Sequence, residues 1–237
     1  MNRLDGLDAL VIGAGGGIGA AVAVALAAEG VRVRLCGRRE MTLSETARRI
    51  PMDRLAGTLV ADLAKEGVAE AIASAVGGRL DLLVHAAGIF SAGSAADLRP
   101  EECAALFRVN ALAPADVTRA LLPALRVARG QVVFVNSSAA LHPSPTWSVY
   151  AASKAALKVL ADGIRGVVNA EGVRVISVYP GRTASPMQAA IHQMEGRPYD
   201  PSRLLQPEDI AAMIVSALAL PRTAEATDLQ IRPMQKS

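Results

Sequence analysis

Aromatic side chains are scarce in this chain: three phenylalanines, three tyrosines and one tryptophan among 237 residues. With 51% of residues hydrophobic, the interior has to be aliphatic, and the length suits one domain with a large core, expected to span 1–237. Lysine is also rare. None precedes Lys65, which excludes a nucleoside-triphosphate P-loop in the first 64 residues, because that loop needs its lysine. The two cysteines, Cys36 and Cys103, lie far apart without companion zinc ligands. That excludes a disulfide framework and predicts reduced core thiols and no metal site. No long apolar run occurs: 20–28 is the longest, too short for a bilayer, and the N-terminus has no signal-peptide core. A cytoplasmic protein without a membrane partner is expected. The formal charge of +3 comes from scattered arginines, with no basic run longer than Arg38 and Arg39, so no nucleic-acid partner is expected.

What the chain does have is alternation. Short apolar runs bounded by Gly, Pro or charge lie at 9–12, 31–36, 58–61, 80–86, 131–136, 173–179 and 227–231, and each reads as a strand. Between them, Ile18, Ala21, Val22, Ala25 and Leu26 fall on one face of a helix, as do Leu157, Leu160, Ile164 and Val168. Strands alternating with helices imply a parallel sheet with right-handed crossovers. The expected fold is α/β: a single-domain doubly wound parallel sheet, Rossmann-type, with helices on both faces. The least regular stretch, roughly 184–205, is expected to form a small lid.

Directly after the first strand comes GAGGGIG, with Gly13, Gly15, Gly16, Gly17 and Gly19 leading into the first helix. Such a loop lets backbone approach a pyrophosphate at a helix N-terminus, although tight strand-to-helix turns also use glycine for steric reasons alone. At the end of the second strand, where an acid would hold the ribose diol of NAD, the sequence reads Gly37, Arg38, Arg39. A guanidinium there suits the 2′-phosphate of NADP, and otherwise the two arginines simply solvate a loop.

Tyr150 and Lys154 stand one helical turn apart in YAASK, and Ser137 and Ser138 lie thirteen and twelve residues before Tyr150. A chance Tyr-x-x-x-Lys has odds of about one in twenty in a chain with so few of either residue. A cation one turn away is expected to lower the tyrosine pKa toward a working acid/base range. Tyr150 could then exchange a proton with a carbonyl oxygen that a serine hydroxyl also binds. His142 suggests a hydrolase, but NSSAA lacks the G-x-S-x-G elbow and a solvated loop histidine is expected. His85 is expected to end the fourth strand. Trp147 can line a pocket or simply pack.

Taken in order, the glycine loop, Asp62-Leu63, HAAG, Asn110, the Ser-Tyr-Lys set and Pro180-Gly181 resemble the short-chain dehydrogenase/reductase family over nearly the whole chain. The resemblance implies a nicotinamide dinucleotide cofactor, NADP(H) in preference to NAD(H), and a homodimer or homotetramer. It assigns Gly13, Gly16, Gly17, Ile18 and Gly19 to the pyrophosphate, Asp62 and Leu63 to the adenine, and Ala86, Ala87 and Gly88 to the adenosine ribose. Pro180, Gly181 and Thr183 fall to the nicotinamide end, with Lys154 also on the nicotinamide ribose. Thirteen-residue spacing selects Ser137 over Ser138 as the partner of Tyr150, and Asn110 is assigned a water that links Lys154 to solvent.

Three positions depart from the family pattern. Ile12 replaces a usual threonine, Ala86 in HAAG replaces an asparagine, and Gly16 stands where many NADP-preferring members are basic, leaving Arg38 to bear the phosphate preference. The resemblance implies an oxidoreductase interconverting a small or medium ketone and a secondary alcohol. The alternatives are a reductase of 3-oxoacyl thioesters on a carrier protein or CoA, and a non-catalytic NADP-binding sensor.

Overall fold

A computed structural model describes residues 3–97 and 99–235; the outer ends of the expected 1–237 unit lie outside them. The seven anticipated strands all form: β1 Asp8–Ile12, β2 Arg32–Gly37, β3 Leu55–Val60, β4 Leu82–His85, β5 Gln131–Val135, β6 Arg174–Pro180 and β7 Asp228–Ile231. They make one sheet in the order β3-β2-β1-β4-β5-β6-β7, with every neighbouring pair parallel. The chain runs outward from β1 in one direction and, after β3, returns to start again at β4. The C-terminal ends of β1 and β4 therefore diverge into the crevice where doubly wound sheets take ligands.

Side chains alternate across the sheet, as a two-residue period requires. Val133 and Val135 of β5 face one layer, whereas Val132 and Phe134 face the other. The first layer holds α1 Gly17–Ala28, α2 Glu40–Ala47 and α8 Pro207–Leu218; the second holds α3 Val68–Val76, α5 Ala113–Ala128 and α6 Ser148–Val168. Helices thus cover both faces, and both cores are overwhelmingly aliphatic.

Some details differ from expectation. β3 begins three residues earlier than the apolar run, because its register on β2 shifts at Val33/Arg34 and Gly57 takes a φ of 123°, which breaks the alternation. Cys36 is a core thiol, pushed up to about 12 by burial. Cys103 is not: it lies half-buried on α4 Pro100–Phe107. The stretch 184–205, expected to form a lid, is more regular than its sequence suggests. It carries α7 Pro186–Met194 and a 3-10 turn at Pro201–Arg203, and a bridge between Thr183 and Leu205 ties its two ends together.

Candidate active site

The glycine loop joins β1 to α1 at the crevice. A side-chain carbon at Gly13 would lie 2.4 Å from the Ala87 nitrogen and one at Gly19 would lie 2.2 Å from the Gly13 oxygen; Gly13 also has a φ of 89°, which disfavours other residues. Gly16 caps α1 without any side-chain bond and no acid stands in the first turn. The helix therefore presents unshielded N–H groups and its positive dipole end to the crevice. These features fit a dinucleotide pyrophosphate. Arg38 and Arg39 lie exposed past β2, and neither forms an ion pair among the described residues. Asp62 accepts a hydrogen bond from the Ala64 nitrogen at 3.0 Å after β3, while Leu63 is buried in the second core. Of that pair, only Asp62 keeps appreciable exposed surface at the rim.

Across the crevice, Ala86, Ala87 and Gly88 extend from β4, with the Ala86 nitrogen donating to the Ile12 oxygen at 2.8 Å. The missing side chain at Gly88 matters, because a Cβ there would come within 3.3 Å of Asn110 Oδ1 and 3.5 Å of Lys154 Nζ. Asn110 lies in a π-helical turn, Arg108–Leu112, inserted between α4 and α5. Such a bulge re-aims a side chain and is common at functional sites. Fully buried, Asn110 accepts from the Ile89 nitrogen at 2.9 Å, donates to the Ile89 oxygen at 2.9 Å, and donates to Ser153 Oγ at 3.1 Å. Ser153 in turn donates to the Tyr150 carbonyl at 2.7 Å. No residue spacing signals this clamp between the β4 loop and α6.

On α6, Tyr150 and Lys154 project from one face, as an i, i+4 pair must. Tyr150 and Ser137 both line a cavity of about 240 Å³, and the Ser137 side chain stands close enough to the phenol to favour its ionised form. Ser138 also lines the cavity. Lys154 sits behind them, 4% exposed, with Nζ donating to the Val135 oxygen at 3.2 Å. Its burial lowers its pKa to about 8, so roughly ten to one it remains an ammonium at pH 7.

One electrostatic expectation is reversed. Burial pushes the Tyr150 phenol above its ordinary pKa, and the Ser137 side chain offsets only part of that rise. The Lys154 ammonium is spent on a carbonyl rather than on the phenol. In the free protein Tyr150 is therefore a proton donor at neutral pH.

The cavity's remaining walls come from the loop after β4, the segment before α6, and the segment that follows β6. Phe90 packs edge-on against Tyr150 at 5.0 Å and against Trp147 at 6.3 Å. Pro180, Gly181 and Thr183 line the same cavity beside Ile18. Thr183 Oγ1 donates to the Gly181 oxygen at 3.0 Å, leaving its lone pairs free to accept. Arg182 bridges bidentately to Glu195 at 2.8 and 2.9 Å and lies over the Trp147 ring at 5.6 Å. Trp147 therefore both packs and lines the pocket.

Phe90, Arg182 and Glu195 escaped sequence reasoning. Their only visible signal was a charged residue inside the Pro-Gly-x-Thr turn. His142 is exposed as expected, at the cavity edge. His85 does end β4, buried, with Nε2 2.9 Å from Thr118 Oγ1 and its ring stacked on Phe134.

Comparison with known proteins agrees with this geometry. A family model described as short chain dehydrogenase matches residues 8–196. An uncharacterized short-chain type dehydrogenase/reductase of Sinorhizobium fredii is 34% identical, covering 98% of this chain and 93% of that protein. Among solved structures, a short chain dehydrogenase of Shigella flexneri complexed with NADP superposes with a TM-score of 0.87 at 27% identity, covering 97% of this chain and 98% of that one. A variant of the actinorhodin polyketide ketoreductase with NADPH gives 0.86 at 25% identity, covering 98% and 97%. Sheet order, glycine loop and the match across four-fifths of the chain lead to one conclusion: this protein belongs to the short-chain dehydrogenase/reductase family of oxidoreductases.

Proposed function

We propose that the protein is an NADP(H)-dependent oxidoreductase that interconverts a small ketone and a secondary alcohol through Ser137, Tyr150 and Lys154. The observation that carries this reading is that Ser137 and Tyr150 share one cavity wall, with Lys154 buried behind it and its Nζ on the Val135 oxygen. A nicotinamide dinucleotide held by the glycine loop, by Ala86, Ala87 and Gly88 and, at its nicotinamide end, by Pro180, Gly181 and Thr183 would supply hydride to the carbonyl carbon. The residues handle the oxygen. Tyr150, kept protonated by burial, gives its proton to the developing alkoxide. Ser137 donates a hydrogen bond to the same oxygen and fixes its approach. Lys154 holds the nicotinamide ribose hydroxyls and, through a water at Asn110, returns a proton to Tyr150. The gap that Gly88 leaves between Asn110 Oδ1 and Lys154 Nζ supports that last role. In sum, ketone, NADPH and a proton give alcohol and NADP⁺.

The preference for NADP rests on exposed Arg38, assisted by Arg39, at the position that meets the adenosine ribose. Two structural neighbours, one with NADPH and one complexed with NADP, support it. Likeness to a polyketide ketoreductase favours a second reading, reduction of a 3-oxoacyl thioester. A homodimer or homotetramer is supported by the outer face of α6, where Val159 and Val167 are exposed and Gly163 and Gly166 leave open space for close approach. The test is consumption of NADPH and NADH with a panel of free ketones and 3-oxoacyl thioesters. NADPH should be favoured, and Arg38→Asp should shift the ratio toward NADH by about tenfold or more, the scale of one charge-assisted phosphate contact. An unchanged ratio would remove Arg38 from the phosphate site.

A further inference from the structure

Phe90, Trp147 and Tyr150 are nearly half of the chain's aromatic side chains, and all three line the single cavity that holds the Ser137 hydroxyl. Elsewhere the interior is mostly aliphatic, with Phe134 and Tyr179 as its fully buried aromatic rings. Phe90 stands at the centre of the group, edge-on to both other rings at an interplanar angle of 64°, an arrangement that leaves ring faces and edges for a further aromatic partner. Ile18, Met187 and Ile191 supply the apolar remainder, and methionine adapts well to a flat ring.

Charge narrows the choice. Arg182 is the one residue of fixed charge among those lining the cavity. Both of its terminal nitrogens are bonded to Glu195, and its plane lies over Trp147. That cation is already neutralised, and an anionic substrate would have to displace a bidentate carboxylate. Size narrows it again. The cavity of about 240 Å³ is small beside the roughly 300–1,000 Å³ of drug-sized sites, and the nicotinamide assigned to Pro180, Gly181 and Thr183 would share it, which leaves room for one ring and its carbonyl rather than a fused polycycle.

We infer that the substrate is a small, uncharged ketone, or the corresponding alcohol, whose carbonyl carbon bears a planar aromatic ring. This rests on the carbonyl-reductase reading above and goes beyond it in naming the substituent. Phe90 and Trp147 receive the ring while Ser137 and Tyr150 hold the oxygen.

The test compares kcat/KM with NADPH for acetophenone, cyclohexyl methyl ketone and 4-acetylbenzoate: a flat ring, a puckered ring of equal carbon count, and a flat ring with a charge. Acetophenone should exceed each of the others by about tenfold, equivalent to about 1.4 kcal/mol. Phe90→Leu should reduce the acetophenone-to-cyclohexyl ratio to below about threefold. Because a ratio is read, a general loss of activity in the variant cancels. Trp147→Leu replaces it if a melting curve shows that Phe90→Leu is unfolded. Equal turnover of the flat and puckered rings overturns the inference while leaving carbonyl reduction standing. Preference for the charged ketone overturns it as well. Turnover of none of the three, with thioester reduction present, assigns the cavity to the second reading and also overturns it.

Discussion

Replacing Asn110 with alanine should cost stability and activity together, because its side chain joins two parts of the site. The substitution deletes three hydrogen bonds, two to the Ile89 backbone and one to Ser153 Oγ, at a fully buried position. Each partner left unpaired costs about 1–3 kcal/mol. Water entering the space vacated beside Gly88 would recover part of that, so the expected loss is about 3 kcal/mol. For a chain of this size, about 2–4 °C of melting temperature is lost per kcal/mol, giving a drop of roughly 6–12 °C. The loop carrying Ala86 to Phe90 is also released from α6, so kcat/KM should fall by more than tenfold, roughly the effect of misplacing a reacting group by an ångström. Thermal melting and steady-state kinetics on one preparation read both effects. A stability loss below about 1 kcal/mol would refute the clamp, even if activity fell.

Two further changes probe other parts of the account. Gly13→Ala forces a side-chain carbon to 2.4 Å from the Ala87 nitrogen at a φ of 89°; it should lower the melting temperature and abolish the thermal shift produced by NADPH, and a variant still stabilised by NADPH would contradict the glycine-loop assignment. His85, buried against Thr118 and Phe134, has its pKa lowered by burial to about 3. Its stabilising contribution is complete above the unfolded value near 6.5 and is lost as pH falls toward 3, because only the unfolded chain then takes up the proton. Between pH 7 and pH 5 wild type should lose about 2 kcal/mol more than His85→Gln in urea unfolding; equal losses would place His85 in contact with water.

The strands were readable because parallel strands buried on both faces are short aliphatic runs, and Gly or charge punctuates each of them. β3 was readable only from residue 58, since Gly57 and the register slip remove the pattern exactly where the strand starts. The Tyr150–Lys154 face follows from helical spacing alone. The burial of Lys154 and its bond to the Val135 oxygen do not, because they depend on how β5 lies under α6. Asn110 was readable as a position and unreadable as a clamp: its partners Ile89 and Ser153 are brought to it by β4 and α6, from 21 residues before it and 43 after it. The aromatic wall is equally a product of tertiary placement, joining the loop after β4 to the turn before α6.

The central claim is that Tyr150 delivers the proton. The most direct measurement is kcat for NADPH-dependent reduction of the best ketone by wild type and Tyr150→Phe, with cofactor affinity measured in parallel. Phenylalanine keeps the ring against Phe90 and removes only the hydroxyl. The account predicts a fall of about 10²–10⁴ in kcat with NADPH binding retained. A variant that turns over within about threefold of wild type would contradict it.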